Sequence, residues 1–278
     1  MSDINHLREQ RLTTENKMDF ICSFDMSEEM PHFRLMPEDV RWSAEANVVG
    51  VIYESFVVPG DQDYLMSRLL AQKGLHRGFY WAAAQATEKY LKAFLLMNGV
   101  SVKNFKLHPI KALYEAAEKV DPTFANFDIS PHQGIQVEAS VSEHLKKFTI
   151  IEFLEDLETH GSADNRYNTF GVDYNTGHLF AMDSLTFHVR GKIGVPAIND
   201  SSKKLDLDLQ ATFEKINPWF QTTLGQSIYK LPTVEFPIHD SVTVTKFEIL
   251  LKNKNNPANS FALRWLRAKM KLPKEKDK

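Results

Sequence analysis

Apolar residues crowd most densely between Gly78 and Gly99, in the stretch GFYWAAAQATEKYLKAFLLMNG. Alanine, leucine, methionine, lysine and glutamate dominate it, all strong helix formers. Gly99 follows Asn98 where a helix C-terminus is expected. The few polar residues, Gln85, Glu88, Lys89 and Lys92, recur at helical spacing as one narrow stripe. Glu88 precedes Lys92 by four residues, the favourable order for an ion pair. A helix apolar round most of its girth packs on several sides, so this pattern predicts the central helix of a bundle.

The flanking patterns extend the bundle. Pro59 and Gly60 read as a chain break, after which Asp61 or Asp63 caps a helix through DYLMSRLLAQK, ending at Gly74. Its closeness to the central helix predicts an antiparallel hairpin. Pro109 opens HPIKALYEAAEKV, with Ile110, Leu113, Ala117 and Val120 on one face. A helical stretch is expected from about Gln136 to His160, and a last amphipathic one over TGHLFAMDSLTFHVRGK. Beyond residue 192 prolines divide the chain into short pieces. There LDLDLQATFEKI reads as a helix, SVTVTKFEILL as a strand, and NSFALRWLRAKMKL as a basic helix. The fold class expected is mainly α, with a smaller α+β extension at the C-terminus. Three segments follow: an N-terminal extension over residues 1–60, the bundle over 61–192, and the extension over 193–278.

Composition narrows the chemistry. A net charge of -3 carries no global mark of nucleic-acid binding. The single cysteine, Cys22, excludes an intrachain disulfide and fits a cytoplasmic setting. The polar first residues contain no signal-peptide core, and the central helix is too short and too charged to span a membrane. The ten histidines form no close ligand set, and there is no glycine-rich phosphate loop. No metal or cofactor is therefore expected.

DYLMSR, AAAQATEKYLKAFLLMNG and LHPIKAL stand in the order of the first three helices of the HEPN domain, a small α-helical family, and resemble them. Arg166-Tyr167 is similar to the arginine-tyrosine pair before that family's final helix. The likeness covers just under half the chain. It implies a homodimer and a setting beside a nucleotidyltransferase partner, or in toxin–antitoxin or defence systems. Some HEPN domains are metal-independent ribonucleases, in which an arginine is followed after four to six residues by a histidine. The arginine stabilises phosphate charge and the histidine moves a proton. Here the next histidine after Arg166 is His178, and His160 precedes it. The expected function is therefore binding of a nucleotide, RNA or protein partner without cleavage. The alternatives are a ribonuclease using Arg166 with His160 or His178 supplied by the fold, and a structural adaptor.

Candidate ligand contacts are Arg166, Tyr167, Tyr64, Arg68, Lys89, Lys92 and His108. Tyr64 and Arg68 lie one turn apart and either line a dimer groove or belong to a solvated face. Lys89 and Lys92 either line a polar cleft or form the exposed side of a core helix. His108 either opens its helix or acts chemically. Residues 264–278 hold seven basic and two acidic residues, a net +5, with Arg264, Arg267 and Lys271 on one helical face. That face suits RNA phosphates or an acidic partner.

Overall fold

The structure, a computed structural model, describes residues 32–39, 41, 48, 51–103, 105, 109–130, 139–165, 171–193, 216–217, 241–242 and 246–255. These are mainly helical. The helices are α1 Val58–Gln72, α2 His76–Met97, α3 Ile110–Val120, α4 Ala139–His144, α5 Ile150–His160, α6 Thr176–Ile193 and α7 Lys246–Lys252. Two short strands, β1 Asp173–Tyr174 and β2 Ser241–Val242, pair antiparallel. Among the described residues no helix is long and apolar enough to cross a membrane.

Helix α2 is the hub and packs on α1, α3, α5 and α6. Phe79, Ala83, Ala86, Leu91, Ala93 and Leu95 are fully buried along it. Gly74, at φ 70°, ends α1, and Leu75 N–H donates back to Leu70 O at 2.8 Å. A left-handed residue followed by such a back-bonded amide is the usual way to stop a helix and reverse the chain. Asn98 and Gly99 end α2 the same way, with Gly99 at φ 76° and Val100 N–H on Leu95 O.

Pro59 and Gly60 do not break the chain. A π-helical turn, Tyr53–Val57, runs straight into α1, so Pro59 stands inside continuous helix just after that turn. Gly60 packs so tightly that an added Cβ would meet the Tyr90 ring at 2.9 Å. Ile52, Tyr53 and Val57 belong to the same buried core as α2. Asp61 is therefore inside a helix and buried, not a cap at its start.

The stretch expected to be one helix up to His160 is two, α4 and α5. Thr149 starts α5 with a reciprocal capping box: its hydroxyl accepts from Glu152 N–H, and Glu152 accepts from Thr149 N–H at 2.8 Å. Of the stretch SVTVTKFEILL, Ser241–Val242 is strand and the residues from Lys246 belong to α7, where Glu248 accepts from Gly171 N–H at 3.0 Å. A short apolar run does not choose its own period; here a contact with the bundle accompanies the helix. The helix expected over LDLDLQATFEKI and the basic terminal helix lie outside the described residues, apart from Ile216.

At one end of α6, His188 stacks on Phe127 with ring centroids 4.2 Å apart and meets the edge of Phe124 at 5.1 Å. Lys192, one turn on, pairs with Asp121 at 2.7 Å. Burial, and then the Lys192 charge, push the His188 imidazole down to about 4, while Asp121 acts weakly against them. The unfolded chain takes up this proton near pH 6.5, before the folded one does. Stability from this residue is therefore complete at pH 7 and is lost as pH falls from 6.5 to 4. About 2 kcal/mol is at stake after allowing for the ring's partial exposure. The Asp183 carboxyl, pushed up to about 6 by burial, acts in the opposite sense between pH 4 and 6. It is common to both proteins and cancels in a comparison. Melting curves of wild type and His188→Leu from pH 7 to 4 are expected to show a shallower decline in the variant. Parallel curves would show that His188 ionises freely in the fold.

Candidate functional site

Tyr64 and Arg68, expected either to line a dimer groove or to belong to a solvated face, are core residues instead. Tyr64 OH donates to Asp183 Oδ1 at 2.6 Å, and Arg68 Nη1 donates to Asp183 Oδ2 at 2.7 Å. Asp183 is fully buried. A second set mirrors the first: Asp61 accepts from Tyr90 OH at 2.7 Å and from Arg190 Nε at 2.7 Å, with Arg190 Nη2 on its other oxygen. Each carboxylate thus has a guanidinium and a phenol, the satisfaction that makes a buried ion pair tolerable. These groups tie α1 to α6 and, through Tyr90, to α2, so Tyr64 and Arg68 serve the core rather than an open ligand surface.

Lys89 and Lys92 are also paired, with Asp63 across the hairpin and with Glu88 on the same helix. Glu88 is buried and Gln85, Lys89 and Lys92 are half-buried. The stripe is neither an open polar cleft nor a fully solvated face; it is a neutralised seam beside α1.

The two candidate histidines do come together. His160 ends α5 and His178 lies in the first turn of α6, yet both pack on the Tyr80 ring, at centroid distances of 4.8 and 5.4 Å. Tyr174 stacks between His76, at 4.0 Å, and His178, at 5.5 Å. Tyr80 OH donates to Asp173 O, which ties α2 to β1. The close approach needs Gly161: a Cβ there would lie 2.5 Å from Tyr80 O and 2.7 Å from Ala84 Cβ.

His178 is almost inaccessible, at 1% exposure. Its Nδ1 lies 3.1 Å from both the amide nitrogen and the carbonyl oxygen of Asn175, and its Nε2 lies 3.3 Å from Asp156 Oδ2. Burial works to raise the Asp156 carboxyl. The hydrogen bond from His178, with the charges of His178, His160 and Lys146, outweighs it and holds the group below its ordinary range. Burial, and then Asp156 and Asp173, push the Tyr80 phenol far up, so it stays protonated. Both nitrogens of His178 are engaged, by Asn175 and by Asp156, so neither is presented to a substrate. His160 is half-buried and remains the more accessible of the two.

Arg166, Tyr167, His108, Arg264, Arg267 and Lys271 lie outside the described residues. Their approaches are described. Asn165, directly before Arg166, is buried and its side-chain amide donates to His160 O at 3.3 Å. Beyond residues 166–170 in the sequence, β1 pairs with β2, Asp173 opposite Val242 and Tyr174 opposite Ser241, and Glu248 receives the Gly171 amide. The C-terminal chain is thereby fixed five residues from Arg166, and Arg264 follows Lys252 by twelve residues. Among the described residues, no three histidine, cysteine or carboxylate side chains group to hold a metal ion. The chain matches no protein-family model, no curated protein and no solved structure.

Proposed function

We propose that the chain is a HEPN-like binding module that takes an anionic ligand, best a single-stranded RNA, at the α5–α6 end of the bundle and does not cleave it. The observation that carries this reading is the state of His178. His178 stands in the first turn of α6, sealed from solvent, with both ring nitrogens engaged. Charge stabilisation by an arginine without a proton carrier leaves binding. RNA is favoured over a mononucleotide by the net +5 of residues 264–278, a charge suited to several phosphates rather than one. An arginine fork suits phosphate oxygens, and tyrosine stacks on bases. A toxin–antitoxin or defence setting, with a nucleotidyltransferase partner, belongs to this reading.

The test is a titration with nucleotides and a short RNA at low salt, on wild type and Arg166→Ala. The variant is expected to bind RNA about tenfold more weakly, the loss of one charge-assisted contact. RNA is expected to stay intact with both proteins. Cleavage that Arg166→Ala abolishes would overturn the reading and leave the enzymatic alternative to His160, with His160→Ala as its check. Equal binding by both proteins would move the site to residues 264–278.

A further inference from the structure

The C-terminal extension returns to the bundle at Asn217 and again at β2 and α7. The first attachment is deep. Asn217 is fully buried, and its side-chain amide donates to Asp183 O, midway along α6, at 3.1 Å. The second is shallow. β2 pairs two residues with β1, and Glu248 of α7 accepts from Gly171 N–H at 3.0 Å. Glu248 is half-buried and its neighbour Ile249 is 40% exposed. The segment gripped there leads straight to His178. Tyr174, opposite Ser241 in the pairing, stacks its ring on His178 at 5.5 Å and on His76 at 4.0 Å. Asn175, the next residue, lies 3.1 Å from His178 Nδ1 through both its amide nitrogen and its carbonyl oxygen. Tyr174 thus walls one side of His178, and Phe148, at a centroid distance of 4.4 Å, walls another.

We infer that β2 and Glu248 form a latch on β1 that keeps His178 sealed, and that this latch opens as a unit while the helices stay folded. A two-stranded pairing this short is marginal in water on its own. Here it is accompanied by one charge-assisted hydrogen bond, from Gly171 to Glu248. Segments with few buried contacts and exposed side chains open locally, far more easily than the whole fold. Helix α6 is different in kind, because Asp183 and Arg190 fix it to α1 inside the core. Opening therefore stops at β1. Asn217 stays seated and the covalent chain keeps β2 close, so the latch recloses as an intramolecular event. An open latch frees the Tyr174 wall and presents the His178 imidazole, a proton-carrying group, at the α5–α6 end; a closed latch withholds it. The device does not depend on RNA binding, since every group in it belongs to the chain itself.

The experiment is histidine modification by diethyl pyrocarbonate at neutral pH on the full chain, wild type and Glu248→Ala, read residue by residue by peptide mass spectrometry. His188, near the other end of α6 and packed on Phe124 and Phe127, reports any loosening of the whole bundle. In the variant His178 is expected to react roughly tenfold faster than in wild type, the loss of one charge-assisted hydrogen bond, with His188 unchanged. Amide hydrogen exchange over residues 171–178 is expected to quicken likewise while α2 stays protected. Equal rates at His178 in the two proteins would overturn the latch. So would a rise at His178 and His188 together, which would make Glu248 a support of the whole fold. No ligand is present in either measurement, so a failed RNA titration and a failed latch are read separately.

Discussion

Replacing Asp61 with alanine is expected to lower stability by about 3–5 kcal/mol, read as a fall in the urea midpoint at unchanged slope. Asp61 is 3% exposed and its partner Arg190 is 1% exposed. The guanidinium cannot lose its charge and, from that depth, cannot reach water by changing rotamer. Removing the carboxylate strips it of a two-pronged acceptor and leaves the Tyr90 hydroxyl without the oxygen it donates to. Desolvation already paid by the cation is then uncompensated. The ion pair itself is not the source of that figure. Exchanging both partners for apolar residues, Asp61→Leu with Arg190→Met, should recover most of the loss, because no charge is then buried. Recovery in the double variant is the informative measurement. A double variant as unstable as the single one would mean that the pair contributes net stability; a single variant within about 1 kcal/mol of wild type would mean that the guanidinium is readily rehoused.

The same pair explains why α1 and α6 settle in one register. Asp61 and Arg68 are seven residues apart on α1, and so are Asp183 and Arg190 on α6. Residues at i and i+7 share a helix face. Run antiparallel, the two helices exchange partners, Asp61 with Arg190 and Arg68 with Asp183. Sliding one helix by a turn would strand all four charges in the core. Specificity of this kind is the best-attested use of buried polar groups.

That repeat stands openly in the sequence, yet composition and periodicity do not lead to it. Pro59 and Gly60 made Asp61 look like the first residue of a helix, where an aspartate is a cap. Only the preceding π turn and the buried Tyr53 and Val57 show that the helix had already begun. Helix α2 was legible because its pattern is strong and local. So was the hairpin, since Gly74 leaves too short a link for any other geometry. The capping box Thr149–Glu152 was equally local and would have split α4 from α5. The candidate site was legible only in part. His160 and His178 stand out as chemistry-bearing residues, but Asp156 is 22 positions from His178 and Tyr80 is 80 from His160. No spacing rule connects them. Tyr80 reads as one more apolar residue of a core helix, and the structure makes it the surface on which both histidines rest. Sequence also could not tell that His178 would be sealed, because burial is a property of what packs over a residue.

Truncating the core of α2 carries the other large effect. Phe94→Ala is expected to cost about 3–5 kcal/mol and Leu91→Ala about 2–5 kcal/mol, as lost apolar burial plus a residual cavity. Leu91 is fully buried and Phe94 is 3% exposed. For a domain of this size that corresponds to a melting temperature lower by roughly 5–15 °C. The two sites differ in what can collapse around them. Phe94 lies tilted on Phe124 at 4.9 Å, and Phe124 is held in turn by Tyr114, whose ring meets it at 5.3 Å and whose hydroxyl donates to its carbonyl at 2.8 Å. The short 3-10 turn that carries Phe124 thus has Phe94 as its floor and His188 as its wall. Losing the floor loosens the turn and lets water reach His188. Phe94→Ala should therefore also flatten the decline in stability between pH 6.5 and 4, which Leu91→Ala should leave as steep as in wild type. Coupling of that kind between neighbouring residues is measurable in a double-variant cycle of Phe94→Ala with His188→Leu. Additive effects in the cycle would separate the turn from the core beneath it, and unchanged melting temperatures in both single variants would show that α2 is not the buried hub of the bundle.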